Sequence, residues 1–266
     1  MPERPSGDVR SALRAFLREA RALPRDVSVV FLATAVLSVL SYYYGSRGFF
    51  RRQWQDILGA DRLYSLYEYL YWFSAEFVLS FLVPILLILA VHRRPLRDFG
   101  VGVGDVRFGL KITALFFAVM LPILWVASDS AEFQFVYPHA QIVKGEWALF
   151  LVYEAAFLLY FTGWEFIWRG YMLFGLEKHL GGAVAVLVQM IPFVILHSGK
   201  PVAETFGAII AAIALGALAL RTRSFWYCVA THWLVMFTID LFSTLRFRAG
   251  AQGIGPEALA RIISYF

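Results

Sequence analysis

The sequence predicts an all-α membrane protein, a polytopic transmembrane helical bundle of about seven spans. Three observations carry that prediction. Sixty per cent of the 266 residues are hydrophobic and only 16% are charged, whereas an ordinary soluble domain is about half apolar and a quarter charged. The mean hydropathy is +0.65. The apolar residues also fall into blocks of roughly 17 to 25, the length a helix needs to cross a hydrocarbon core about 30 Å thick. The short alternating strands of a membrane β-barrel are absent.

The first element is a basic segment over 1–25. Arg4, Arg10, Arg14, Arg18, Arg21 and Arg25 alternate with Leu13, Phe16, Leu17, Ala20 and Leu23 at helical spacing, as in an amphipathic helix lying on an anionic membrane surface. A frayed polar tail is the alternative. The segment lacks a small-residue cleavage site close behind a short apolar core, so it does not read as a signal peptide.

Residues 26–266 are expected to form a single transmembrane domain. Its spans are placed at 27–45, 70–91, 108–127, 147–176, 182–198, 203–220 and 225–245. Tyr42, Tyr43, Tyr44, Tyr64, Tyr67, Tyr69, Tyr71, Trp72 and Trp147 cluster near proposed span ends, where amphipathic rings favour the headgroup region. A cytoplasmic N-terminus puts Arg93, Arg94, Arg97, Arg107, Lys178, Arg221 and Arg223 on its own side and leaves Arg47, Arg51, Arg52 and Arg62 on the other. An extra interfacial or re-entrant segment between 46 and 69 therefore stays open. From Phe206 to Leu220, Gly207 and Ala211, and Ala208, Ala212 and Gly216, recur four apart, a spacing that lets backbones pack closely in lipid.

The net charge of +5 sits beside hydrophobic segments, where it sets orientation, so no nucleic-acid partner is expected. The single cysteine, Cys228, excludes an intrachain disulfide framework and a cysteine-based metal site. The partners expected are the lipid bilayer and a peptide or protein.

Ionisable groups deep in a bilayer cost several kcal/mol unless paired or hydrated, which makes them the first functional candidates. Glu165 and Arg169 stand four apart in a tryptophan-rich run, His197 follows Phe193 by four, and His232 lies in the last span. Glu165 and Arg169 share a helix face and can pair; a purely structural ion pair is an equal reading. With the two histidines on neighbouring spans, the set reads as a water-activating site. Glu165, His197 and His232 would also suit zinc or another divalent metal with one position open, though the spacing does not require an ion. Asp240, Glu76 and Glu154 read as interfacial or packing groups.

At these residues the chain resembles the CPBP family of intramembrane proteases, which includes CAAX prenyl endopeptidases and bacterial bacteriocin-processing or Abi-type immunity proteins. Glu165, Arg169 and Gly170 match the second glutamate, the arginine and the usual glycine of its first motif, Phe193 and His197 the second, and His232 the histidine of the third. His197-Ser198-Gly199-Lys200-Pro201 with Glu204, and Arg221-Thr222-Arg223-Ser224, look like one bacterial branch. The likeness spans roughly 85–245. It implies a bacterial inner membrane, a water-filled cavity and a hydrolase, customarily called a metalloprotease. Glu165 would be the general base, His197 and His232 would orient the water or hold a metal, and Arg169 would position Glu165.

Two positions depart from the pattern. Trp164 stands where the family has its first glutamate, and Met236 where it has asparagine. Asp240, one turn beyond Met236, would then supply the polar support for substrate or oxyanion. The same departures suit a non-catalytic scaffold that holds a peptide or partner helix. A transporter is the third class; no repeated halves and no paired Gly/Pro-broken helices point to one.

Overall fold

A computed structural model describes residues 8–265, which leaves Arg4 and the rest of 1–7 outside the described residues. Among the described residues there is no strand.

Helix α1 (Val9–Ala22) starts where the Asp8 carboxylate accepts from the backbone N–H of Arg10 at 3.1 Å, and no residue along it is buried. Its arginines and its Leu13–Phe16–Leu17 stripe are both open, the form of a helix that rests on an interface. Pro24 then breaks the chain and α2 (Arg25–Leu40) rises, running on through a π-helical turn at Ser41–Gly45. Ser46 adopts an extended conformation and caps α3 (Arg47–Leu58), a separate amphipathic helix. The extra segment left open between 46 and 69 is this helix.

Helix α4 (Tyr64–His92) begins earlier than the expected residue 70. It widens into a π-helical turn at Val78–Leu82 just ahead of Pro84, whose ring clashes with the carbonyl four residues back and removes one helical hydrogen bond. Then come α5 (Val106–Ala127), the short α6 (Ala131–Val136), α7 (Trp147–Leu180), α8 (Gly182–Ile195), α9 (Val202–Thr222), α10 (Trp226–Ala249) and α11 (Pro256–Ser264). By length and composition, α2 with α3, α4, α5, α7, α9 and α10 can each cross a membrane, and α8 is a shorter apolar helix between two of them. The expected bundle of about seven spans is borne out.

The sides of these helices that look outward are apolar: Leu32 and Val36 on α2, Leu110 on α5, Ile191 on α8 and Ile210 on α9 are all exposed. In a soluble protein such a surface would aggregate; in a bilayer it is the lipid contact. The buried centre belongs to α7 and α10, whose apolar windows are 44% and 50% buried against 11% for α5. Helix α7 packs on α4, α8 and α10. A methyl added at Gly163 would sit 2.7 Å from the carbonyl oxygen of Glu76, so only glycine admits α4 this closely. Of the small residues on α9, Ala208, Ala212 and Gly216 are buried, with Gly216 tight against Val186 and Gln189 of α8, while Gly207 is open.

The bundle has two distinct ends. At the near end, beside α1, Arg221 pairs with Asp105 at 3.1 Å and Arg223 with Glu177 at 2.6 Å. The backbone N–H of Asp105 also donates to the Thr222 carbonyl at 3.0 Å, an approach that leaves no room for a side chain on Gly104 at φ +54. At the far end Arg62 meets Glu146 at 2.5 Å, and Lys200 donates to the Tyr137 hydroxyl at 3.0 Å.

Candidate functional site

The carboxylate of Glu165 sits at the middle of α7, wholly buried. Arg169 lies in the following turn, Phe166–Met172, which is π-helical; such turns widen the helix and re-aim its side chains. One guanidinium nitrogen of Arg169 stands 3.2 Å from Glu165 Oε2 and 3.3 Å from Oε1. The rest of that guanidinium lies 3.8 Å over the Phe193 ring, so the cation is held by an anion on one side and a π face on the other.

Helix α10 brings His232 to the same carboxylate. Its Nδ1 lies 2.6 Å from Glu165 Oε1. With the carboxylate ionised, that bond places the imidazole proton on Nδ1 and leaves Nε2 with its lone pair free. His197, in the turn after α8, donates from Nδ1 to the Phe193 carbonyl at 2.7 Å, which fixes the same tautomer. The two rings stack 6.4 Å apart with 16° between planes. Glu165, Arg169, His197 and His232, separated by up to 67 residues of chain, thus form one cluster.

Beside this cluster opens a cavity of about 480 Å³. His197, His232, Trp164, Trp168 and Met236 line it, as do Glu76 on α4 and Lys200, Glu204 and His139 at the far end. Glu165 and Arg169 do not line it. The carboxylate is sealed beneath the imidazole, so chemistry in the cavity meets His232 first. Trp168 lines the cavity, and its Nε1 is buried beside it with no hydrogen-bond acceptor.

Asp240 lies elsewhere. It is fully buried two turns beyond His232, and neither it nor Glu154 of α7 lines the cavity. A polar group on the wall that the sequence reading assigned to the interface or to packing is Glu76, which accepts from Ser41 at 2.6 Å and from Ser80 at 2.5 Å. Its signal was present: an acidic residue inside an apolar block, flanked by Ser80 at helical spacing.

Arg169 and His232 already engage both oxygens of Glu165, and among the described residues no group of three His, Cys, Asp or Glu side chains is placed to hold a metal ion. The donor set therefore fits a proton-handling pair better than a metal centre.

The Lys200 ammonium faces His139 Nε2 at 2.8 Å and Tyr137 lies 2.5 Å from Glu204. Burial, with Lys200 adding to it, pushes the His139 imidazole well below its ordinary range; burial, with Glu204 adding, pushes the Tyr137 phenol well up. Both groups are uncharged at neutral pH, and the charge of this rim comes from Lys200 and Glu204 together with Arg47 and Arg51.

Residues 145–238 match the family model described as Type II CAAX prenyl endopeptidase Rce1-like. The likeness read from the motifs is borne out over that stretch, which holds Glu165, Arg169, His197 and His232 and stops short of Asp240. No curated protein and no solved structure matches the chain.

Proposed function

We propose, from the Rce1-like character of residues 145–238, that this chain is an intramembrane endopeptidase working in a bacterial inner membrane, and that His232 is its base. The observation that carries the reading is the 2.6 Å contact between Glu165 and His232 Nδ1 beneath a cavity that only the imidazole reaches. Nε2 of His232 takes a proton from a water, whose oxygen attacks the carbonyl carbon of the scissile peptide bond. Glu165 stabilises the imidazolium that forms, as a buried carboxylate does for a catalytic histidine. His197 Nε2 accepts the water's second proton as a hydrogen bond and so aims its lone pair. When the tetrahedral intermediate collapses, the C–N bond breaks and His232 returns its proton to the leaving nitrogen.

The oxyanion needs a donor; Trp168 lines the cavity and its buried Nε1–H lacks an acceptor, so a turn of the indole would supply one. Asp240 and Met236 have no part in this scheme. The carboxylate expected to act as base becomes the group that orients and polarises one.

Comparing new peptide N-termini in membranes from cells that make the protein with those from cells that make His232→Gln tests the assignment. Cleavage products present with the first and absent with the second are expected. Turnover should fall by about 10²- to 10⁴-fold for His232→Gln and by about 10²- to 10³-fold for Trp168→Phe. Unaltered products in His232→Gln refute it. A divalent metal is the rival occupant, and chelation separates the two: activity should survive exhaustive chelation, whereas loss that zinc restores returns the metal to the site.

Trp164 and Met236 on the cavity wall favour one second reading, a scaffold that holds a peptide without cutting it. It predicts that Glu165→Gln and His232→Ala leave a folded protein with full function in the cell.

A further inference from the structure

The direction in which the cavity opens bears on what it can cut. Its polar rim lies wholly at the far end: Arg47 and Arg51 in the first turns of α3, His139 ahead of α7, Lys200 ahead of α9 and Glu204 in the first turn of that helix. None of its lining residues comes from the near-end connections at 93–105, 181–182 or 223–225.

Basic charge is distributed the opposite way. Helix α1 and the start of α2 hold Arg10, Arg14, Arg18, Arg21 and Arg25 at the near end, every one of them exposed, and Arg93, Arg94, Arg97 and Arg107 follow there after α4. Acids pair with some arginines at both ends, Arg94 with Asp98, Arg221 with Asp105 and Arg223 with Glu177 at the near one and Arg51 with Glu68, Arg62 with Glu146 and Arg246 with Asp129 at the far one, but the unmatched run from Arg10 to Arg25 belongs to the near end alone. An excess of Lys and Arg beside membrane spans faces the cytoplasm, and a basic amphipathic helix such as α1 binds the anionic cytoplasmic leaflet. Both arguments put the near end inside the cell and the cavity mouth outside.

We propose that peptide enters this cavity from the non-cytoplasmic side, so that the substrate is an exported chain tethered to the membrane, not the tail of a cytosolic protein. The tether follows from the walls of the mouth. Tyr42 on α2 and Leu196 after α8 line the cavity and are also 72% and 49% exposed on the surface, so a segment held close to the bilayer can pass in between them. The idea of a substrate rests on the hydrolase reading; the direction of opening does not.

Cys228 is the one cysteine in the sequence and is buried, which lets single cysteines be read without further changes. Arg14→Cys and Val103→Cys mark the near end, Arg52→Cys and Asp61→Cys the far end, and Leu196→Cys the mouth; all five native residues are exposed. Intact cells, or spheroplasts of a double-membraned host, are treated with a membrane-impermeant maleimide, and again after permeabilisation. Expected is labelling of Arg52→Cys, Asp61→Cys and Leu196→Cys in intact cells, with Arg14→Cys and Val103→Cys labelled only once the membrane is opened. The reverse pattern, or labelling of both ends in intact cells, overturns the proposal. The pattern is the same whether or not a peptide bond is cut, so it fails separately from the loss of cleavage in His232→Gln.

Discussion

At the scale of single residues, the candidate site is a case of one charge made tolerable by its neighbours. Glu165 and Arg169 are both fully buried, and removing one partner of such a pair leaves the other charge unmatched. Arg169→Met is therefore expected to destabilise the protein by about 3–5 kcal/mol, read as a lower thermal midpoint in detergent, and to weaken the Glu165–His232 contact at the same time. Glu165 with Arg169 was legible in the sequence because four-residue spacing and an apolar setting are both visible there. So were His197 and His232, through their order on successive spans. Which of these groups faces water was not legible: sequence spacing gives the face of a helix but not which neighbour covers it. The sealing of Glu165 under His232 depends on α10 lying against α7, a contact between segments 67 residues apart. Trp168 was hidden for a different reason, since one indole N–H in an aromatic-rich run carries no periodic signal.

At the scale of elements, hydropathy located the spans well because lipid imposes one length and one polarity on every crossing helix. It failed at boundaries where an amphipathic helix adjoins a span: α4 begins at Tyr64, its first turns being tyrosine-rich and half-buried under α3. The packing spine expected on α9 is half correct, since Ala208, Ala212 and Gly216 meet α8 while Gly207 faces outward. Spacing alone does not distinguish those two stripes. A close approach of one helix backbone to another is instead at Gly163, two residues before Glu165. Gly163→Leu must push α4 from α7 and is expected to cost about 1–3 kcal/mol or more, whereas Gly207→Leu, with nothing within 4 Å of its added carbon, should leave the thermal midpoint unchanged. Equal midpoints for the two variants would contradict this account of the bundle.

At the scale of the whole molecule, the far-end rim makes stability depend on pH. The His139 imidazole titrates well below its ordinary value in the folded protein, near which the unfolded chain, by contrast, takes up its proton, at about pH 6.5. The unfolded state then binds more protons, so folding stability is full above that pH and declines as pH falls beneath it. The thermal midpoint is expected to drop between pH 7.5 and 5.5, and His139→Gln, which has no proton to gain, should flatten that slope. A slope of the opposite sign, or one unaffected by the substitution, would remove His139 from the account. The near end answers to different forces. There Asp105 meets Thr222, Phe225 meets the Gly100 carbonyl, Trp226 the Val101 carbonyl and Tyr227 the Val103 carbonyl, through hydrogen bonds of 2.7 to 3.1 Å. These bonds, two from backbone N–H groups and two from the Trp226 and Tyr227 side chains, bind the α4–α5 connection to Thr222 and the start of α10 beside the Arg221–Asp105 and Arg223–Glu177 pairs. His232 is thus carried on the stretch of α10 anchored by that seam of bonds, less than two turns past Trp226, while the titrating rim belongs to the opposite end, so that acidification reaches the entrance without touching the anchorage of the ring.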